Sequence, residues 1–374
     1  MLRYLLLLTL LFFLISGVSA KTCGGDVPCE CGDVLKSSHN MTYDILNCSR
    51  GIHVSEGGIV LDCAGHKISG NGSMRGIYIA SSGNTFKNCI ISGFHTGILL
   101  WESSNNTITN NTVESNEYGI SLEVLSKNNT IYGNTANKNS FCGIQLRQYS
   151  ASNRVINNTA NSNAMYGIYL QYYSDNSTVI GNTANSNSVH GIYMKYVLSN
   201  YIINNTLNSN AKSGLHLLGY SYNRIAGNKA NSNSGSGIYM SSATHSSITG
   251  NSLNSNGEYG IYIGRDSYNN TLANNTAISN NKGEIYLTPP PAEIVKAGKA
   301  DKGEKQENLS ENESEETGGQ EITLDIEGGQ SAESHGDDNI PGNFFYYFLI
   351  ICVVISAFIF VYQLIGRRAK ERGE

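Results

Sequence analysis

Two glutamates beside the single tryptophan are the first residues whose types could do chemistry. Glu102 and Glu123 fall on neighbouring repeats of the pattern described below, next to Trp101, and two carboxylates flanking a sugar bond are what acid–base glycoside hydrolysis requires. Glu123 shares its repeat position with Arg147 one repeat on, which favours a row of paired charges over a catalytic pair. Six of the eight histidines are scattered over separate repeats or the N-terminal segment. His190 stands directly before a repeat glycine and His216 two residues after the next one, so they are expected to lie offset. No three histidines, cysteines or acids have metal-ligand spacing, so neither a metal nor a cofactor is expected. His66 in CAGHKI reads as structural.

Aromatic residues supply the other chemistry. Tyr78, Tyr169, Tyr193, Tyr239 and Tyr262 each stand two residues after a repeat glycine, with His216 in the same row, and Tyr172, Tyr173, Tyr196 and Tyr220 follow just beyond. Trp101, Tyr169, Tyr193, His216, Tyr239 and Tyr262 are the expected ligand-binding face, since exposed aromatic rows stack on sugar rings or on a protein partner. The plainer reading has tyrosine there for its strand preference, packing on its neighbour in the next repeat.

The positioning elements follow from periodicity. Glycine followed by isoleucine or leucine recurs at Gly76, Gly97, Gly119, Gly143, Gly167, Gly191, Gly214, Gly237 and Gly260, at spacings of 21 to 24 residues. Apolar residues occupy the first and third positions after each glycine, from Ile77/Ile79 to Ile261/Ile263, and period two means strand. Two asparagine series run in parallel: Asn88, Asn111, Asn134, Asn158, Asn182, Asn205, Asn228, Asn251 and Asn275, then Asn116, Asn139, Asn163, Asn187, Asn210, Asn233, Asn256 and Asn280. Stacked at about 4.8 Å, each asparagine would sit over its counterpart, donating to one neighbour and accepting from the other. A unit of this length leaves no room for a helix beside the strands, and it lacks the leucines of a leucine-rich repeat.

The units NRVINNTANSNAMYGIYL and NSTVIGNTANSNSVHGIYM resemble the parallel β-helix repeat of carbohydrate-binding and sugar-hydrolase β-helices, and GIVLDCAGHKISG resembles the first coil of NosD-type domains. The resemblance covers residues 58–288. It implies an all-β, right-handed parallel β-helix of about ten coils, in keeping with the preferred hand of parallel crossovers. NosD-type domains take their name from an exported copper-site maturation factor. Between Gly76 and Leu287 only Asp175 and Asp266 are aspartates, so the paired-Asp motifs of polygalacturonases and the Asp-Pro-His-Asp motif of alginate epimerases are missing from this stretch.

Both ends point to export and anchoring. Residues 1–20 match a signal peptide, and 344–366 form an uncharged run long enough to span a bilayer as one helix. The basic tail 367–374 is expected to stay inside, making the chain a single-pass membrane protein with its N-terminal domain extracellular. Segment 21–57, holding four cysteines, is expected to be a cap, 58–288 the β-helix, and 289–343, with 14 acidic and 4 basic residues, a disordered stalk. Cys23, Cys29, Cys31, Cys48, Cys63 and Cys89 are disulfide candidates whose pairing stays open, and Cys142 makes an odd seventh. Sequons start at Asn40, Asn47, Asn71, Asn105, Asn110, Asn128, Asn157, Asn176, Asn204, Asn269, Asn274, Asn308 and Asn312. Without a basic stripe no nucleic acid is expected. The function expected is a structural or adhesive surface component whose partners are the membrane and a polysaccharide or envelope protein; the alternatives are a polysaccharide-cleaving enzyme and a NosD-like copper-site maturation factor.

Overall fold

A computed structural model describes residues 21–219 and 222–288. Segments 1–20, 289–343, 344–366 and 367–374 lie outside them, as do Tyr220, Asn308 and Asn312.

The described chain winds into about eleven coils, all strands pairing in parallel with their counterparts in the next coil. The glycine-led strands form a sheet of 13 strands in which Ile98 pairs with both Ile77 and Ile120, and the match continues coil by coil to Ile261 and Ile285. A second sheet of 11 strands stacks Ile108, Ile131, Val155, Val179 and Ile202. The third begins as four strands, Ile45–Cys48, Lys67–Gly70, Ile90–Ser92 and Thr112–Val113, and thins to single bridges from Thr135 to Thr276. No helix occurs among the described residues. Regular coils start earlier than expected: Val34–Leu35 and His39–Asn40 already pair with the next coil. The cap proper shrinks to the stretch before them, closed by the Cys23–Cys29 disulfide and the antiparallel bridge Gly24–Val27.

Inward side chains of all three sheets meet on the axis, where Ile98, Leu122, Ile144, Leu170, Val179 and Ile202 are fully buried. The recurring glycine is set by crowding rather than by a left-handed backbone. A Cβ on Gly167 would lie 2.6 Å from the Ala184 methyl and 2.7 Å from the Gly191 carbonyl, so the chain turning into the long sheet has room for hydrogen only.

Asparagine columns line the corners. Each interior Oδ1 accepts the backbone N–H of the coil before, as from Asn158 to Asn182 at 2.8 Å, while Nδ2 donates to the next Oδ1 and back to a carbonyl, as Asn182 does to Asn205 and Val155. Most of the donors and acceptors that would be costly to bury are thus matched between coils. Two differences from the sequence reading stand out. The first column begins at Cys89, whose N–H meets Asn111, and not at Asn88, which sits one position earlier in left-handed backbone with its amide on Asp62. A third column, Asn84, Asn106, Asn129, Asn153, Ser177, Asn200, Asn223, Ser246 and Asn270, lines the remaining corner. Outside these, Asn137, Asn161, Asn185, Asn208, Asn231 and Asn254 form a part-buried row of opposite direction, each accepting from the following coil.

Candidate functional site

The corner geometry explains the sequons. Asn105, Asn110, Asn128, Asn157, Asn176, Asn204, Asn269 and Asn274 have positive φ and are exposed, and each precedes an inward column residue and then a serine or threonine leading into a strand or bridge. Left-handed asparagine, column residue and strand threonine together spell Asn-x-Thr, so the motif follows from how the coil turns. Asn47 shares the left-handed backbone, Asn40 lies at a strand end, and both they and Asn71 are exposed.

The row two residues after the glycine points outward but is not an open face. Tyr169 is only 8% exposed, and Ser121 and Gln145 in the same row are buried. Its rings stack on one another: Tyr169 on Tyr193 at 5.1 Å, Tyr239 on Tyr262 at 4.5 Å and Tyr262 on Tyr286 at 5.2 Å, with His216 between Tyr193 and Tyr239. Burial pushes the Tyr193 hydroxyl up to about 12 and Tyr169 up as well, so both stay protonated. Trp101 stands two residues further along its strand, paired with Glu123, and is half-buried.

The exposed aromatic ridge lies in the turn after the long sheet. Tyr149, Tyr172, Tyr173, Tyr196 and Tyr222 all have left-handed φ, from 47° to 63°, and Tyr149 and Tyr222 are 55% and 61% exposed. Tyr149 stacks on Tyr173 at 4.8 Å, Lys195 lies over Tyr172 and Tyr196, and Tyr222, His245 and Tyr268 continue as a second run. The sequence reading placed Tyr172, Tyr173 and Tyr196 here but not Tyr149, which holds the place of Tyr173 one coil earlier, nor Tyr222 and Tyr268, which stand further along the turn.

The two glutamates are not an acid–base pair in form. Glu123 is held by Arg147 at 3.3 Å and by the Ser121 hydroxyl at 2.9 Å, whereas Glu102 occupies an exposed left-handed turn. Cys142, at the start of the strand that ends in Leu146, is fully buried, its thiol pushed up by burial and then by the Glu123 carboxylate and therefore unreactive. The other six described cysteines form Cys23–Cys29, Cys31–Cys48 and Cys63–Cys89.

One constellation went unseen in the sequence. His190 and His216, expected to be offset, reach diagonally between coils, with Nε2 of one 3.0 Å from Nδ1 of the other. Their imidazoles border a cavity of about 390 Å³ together with Lys212, Gly235, Tyr239 and Glu258. Burial, then the neighbouring imidazole, pulls His190 down to about 3; burial, then Lys212, pulls His216 down to about 4. Both are neutral near pH 7.

Comparisons with known proteins agree with this geometry. Residues 38–184 match a family described as a right-handed β-helix region, and 148–288 match the periplasmic copper-binding protein NosD. No curated protein matches the sequence. Among solved structures, the Dettilon tailspike protein is similar at 18% identity and a TM-score of 0.51, over 68% of this chain and 61% of its own. A variant of the periplasmic alginate epimerase AlgG is similar at 15% identity and 0.52, over 74% and 80%, and a Geobacillus virus E2 protein at 13% and 0.51, over 71% and 56%. The chain thus spans less than two thirds of the tailspike and of the virus protein. At these identities the likeness is one of fold.

The copper chemistry of the NosD description does not fit the donors present. Among the described residues no three histidines, cysteines or acids converge, and six of the seven cysteines are spent in disulfides. In the histidine pair Nδ1 of His190 accepts the Ser213 N–H and Nε2 faces His216, leaving a single ring nitrogen without a partner. With its coils in three parallel sheets, its asparagine columns and both family matches, the chain is a parallel β-helix repeat protein of NosD-like type.

Proposed function

We propose that this chain is an exported, membrane-anchored β-helix that binds polysaccharide along the tyrosine ridge after its long sheet. The observation that carries the reading is the exposure of Tyr149, Tyr172, Tyr173, Tyr196 and Tyr222, 37% to 61%, in a turn of left-handed backbone. Such backbone costs a bulky residue roughly 1–2 kcal/mol, and Gly219 and Ser242 fill comparable turn positions with less demand. Val124, Leu125 and Gln148 take the same backbone at these positions, so the turn imposes it, and what marks the rings is an exposure that core packing does not use. The rings stack between neighbouring coils as Tyr149 on Tyr173 and Tyr172 on Tyr196, a step close to the length of a pyranose along a chain, and they offer hydroxyls, ring edges and the Lys195 cation to sugar hydroxyls. A protein named as an alginate epimerase shares this fold, which supports a saccharide partner. Signal 1–20, stalk 289–343 and span 344–366 would hold the coils outside the membrane.

The test is a glycan array probed with the detergent-solubilised full chain. Changing Tyr172, Tyr196 and Tyr222 together to Ala is expected to abolish binding, while Tyr169→Phe leaves it intact; binding retained by the triple variant overturns the ridge.

A further inference from the structure

The cavity beside His190 and His216 is an interruption in a column of rings. The residues directly before the repeat glycines run Tyr118, Cys142, Tyr166 and His190, with Phe141 supplying the ring beside Cys142 and Tyr166 and His190 stacked at 5°, and then Ser213 and Ser236 stand where rings would continue before Tyr259 resumes them. Two coils therefore lack a ring. On the adjoining turn Gly235 stands between Lys212 and Glu258 in successive coils and adds no side chain to fill the gap.

The proton positions in this notch are fixed by one backbone amide. Ser213 N–H can only donate, so Nδ1 of His190 accepts it at 3.1 Å and the neutral ring carries its proton on Nε2. That proton goes to Nδ1 of His216, which forces the His216 proton onto its own Nε2. This last N–H is buried and has no acceptor among the described residues. Lys212, which forms no ion pair among them, adds an ammonium to the same cavity, whereas the Glu258 carboxylate is taken up by Lys282 at 2.7 Å. The notch is ring-sized, lies at the opposite end of the long-sheet strands from the tyrosine ridge, and holds a lysine that no described carboxylate pairs with.

We propose that this cavity is a subsite for one sugar ring carrying an oxyanion, a carboxylate or a sulfate, that accepts from His216 Nε2–H and Lys212. The inference rests on the polysaccharide reading above and adds a charge requirement to it. Burial makes the single N–H selective, because a buried donor left unmatched is costly and one given an anionic acceptor forms a strong bond.

Calorimetry with the full chain in detergent micelles tests it, using three oligosaccharides of equal length: a polyuronate, a sulfated galactan and a neutral galactan. At least one anionic probe is expected to bind roughly tenfold more tightly than the neutral one, and which of them does so identifies the oxyanion. His216→Tyr, which keeps a ring where Tyr193 and Tyr239 already stand, and Lys212→Met are each expected to remove that preference and leave neutral binding alone. Equal affinity for charged and neutral probes, or a preference that survives both changes, overturns the subsite while the ridge stands. Absence of all binding overturns both. Should His216→Tyr fail to fold, ¹⁵N-histidine spectra of the unaltered chain decide instead: Nε2 of His216 must be protonated and must shift with the anionic probe, and an unprotonated or unmoved signal refutes the assignment.

Discussion

At the scale of single residues the described chain is governed by where amide protons go. The histidine pair makes this measurable through pH. An imidazole whose folded pKa lies below its ordinary 6.5 favours folding fully above that value, and the contribution drains away as pH falls toward the folded one. For His190 and His216 the window runs from 6.5 down to about 4 and then about 3. Urea midpoints taken between about pH 7 and about pH 4.5 are expected to drop more steeply for the unaltered protein than for His216→Tyr; parallel slopes would show that the imidazoles do not drive the acid limb. The pair could not be read from sequence because linear offset hides reach: His190 and His216 differ by three places in the repeat, yet a long ring bridges that diagonal. Asparagine was misread for a related reason. Asn88 keeps the right interval to Asn111, but a column belongs to the residue after it, and only the inward direction of Cys89 reveals this. The third column went unnoticed because Ser177 and Ser246 interrupt the letter while keeping the hydrogen bond. Replacing Asn182 by Ala is expected to cost roughly 2–4 kcal/mol, since it strands donors on Asn158 and the Val155 carbonyl. Asn161→Ala, in the part-buried outer row, is expected to cost under about 1 kcal/mol by the same urea titration.

Individual elements are set by close approach. The long-sheet strands and their register were legible because glycine, apolar alternation and spacing all derive from one physical demand: the chain passes so near the next coil that no Cβ fits. On Gly191 a methyl would meet the Gly214 carbonyl at 2.7 Å and the Ala184 carbonyl at 2.9 Å, both backbone. Gly191→Ala should therefore lower the midpoint far more than Ala substituted at Gly250, where φ is 62° but the space is open and the cost is about 1 kcal/mol of backbone strain. Similar losses for both would mean the corner can yield. The first coils are fastened covalently. Cys31–Cys48 and Cys63–Cys89 tie coils in which the first two columns have not yet become asparagine, and cross-links of this kind contribute roughly 3 kcal/mol each. Reduction is expected to raise amide exchange in the coils around Ile45, Ile68 and Ile91 while those around Ile192 keep their protection.

At the largest scale the described residues behave as a stack in which each coil bonds chiefly to the one before and the one after. Interior amides all face the same way, so the stack has a direction, and its last described rung shows it: Asn280 accepts from Asn256, yet its own Nδ2 is buried without a partner. A rung replaced in the middle must interrupt bonds on both sides, so Asn182→Ala should destabilise more than Asn275→Ala at the end of the same column, a difference that the same urea midpoints would register. Because every interior rung makes the same bonds to its neighbours, the repeat count is a quantity the chain can change without changing its chemistry. Excision of residues 182–204 would let Asn205 take the place of Asn182, 23 residues earlier, and close the columns again, whereas loss of one residue within a strand would turn its inward side chains outward. Gene duplication and unequal crossing-over by whole coils are thus compatible with folding while single-codon deletions inside a strand are not, and the lineage of such a protein is free to vary its length in steps of one coil.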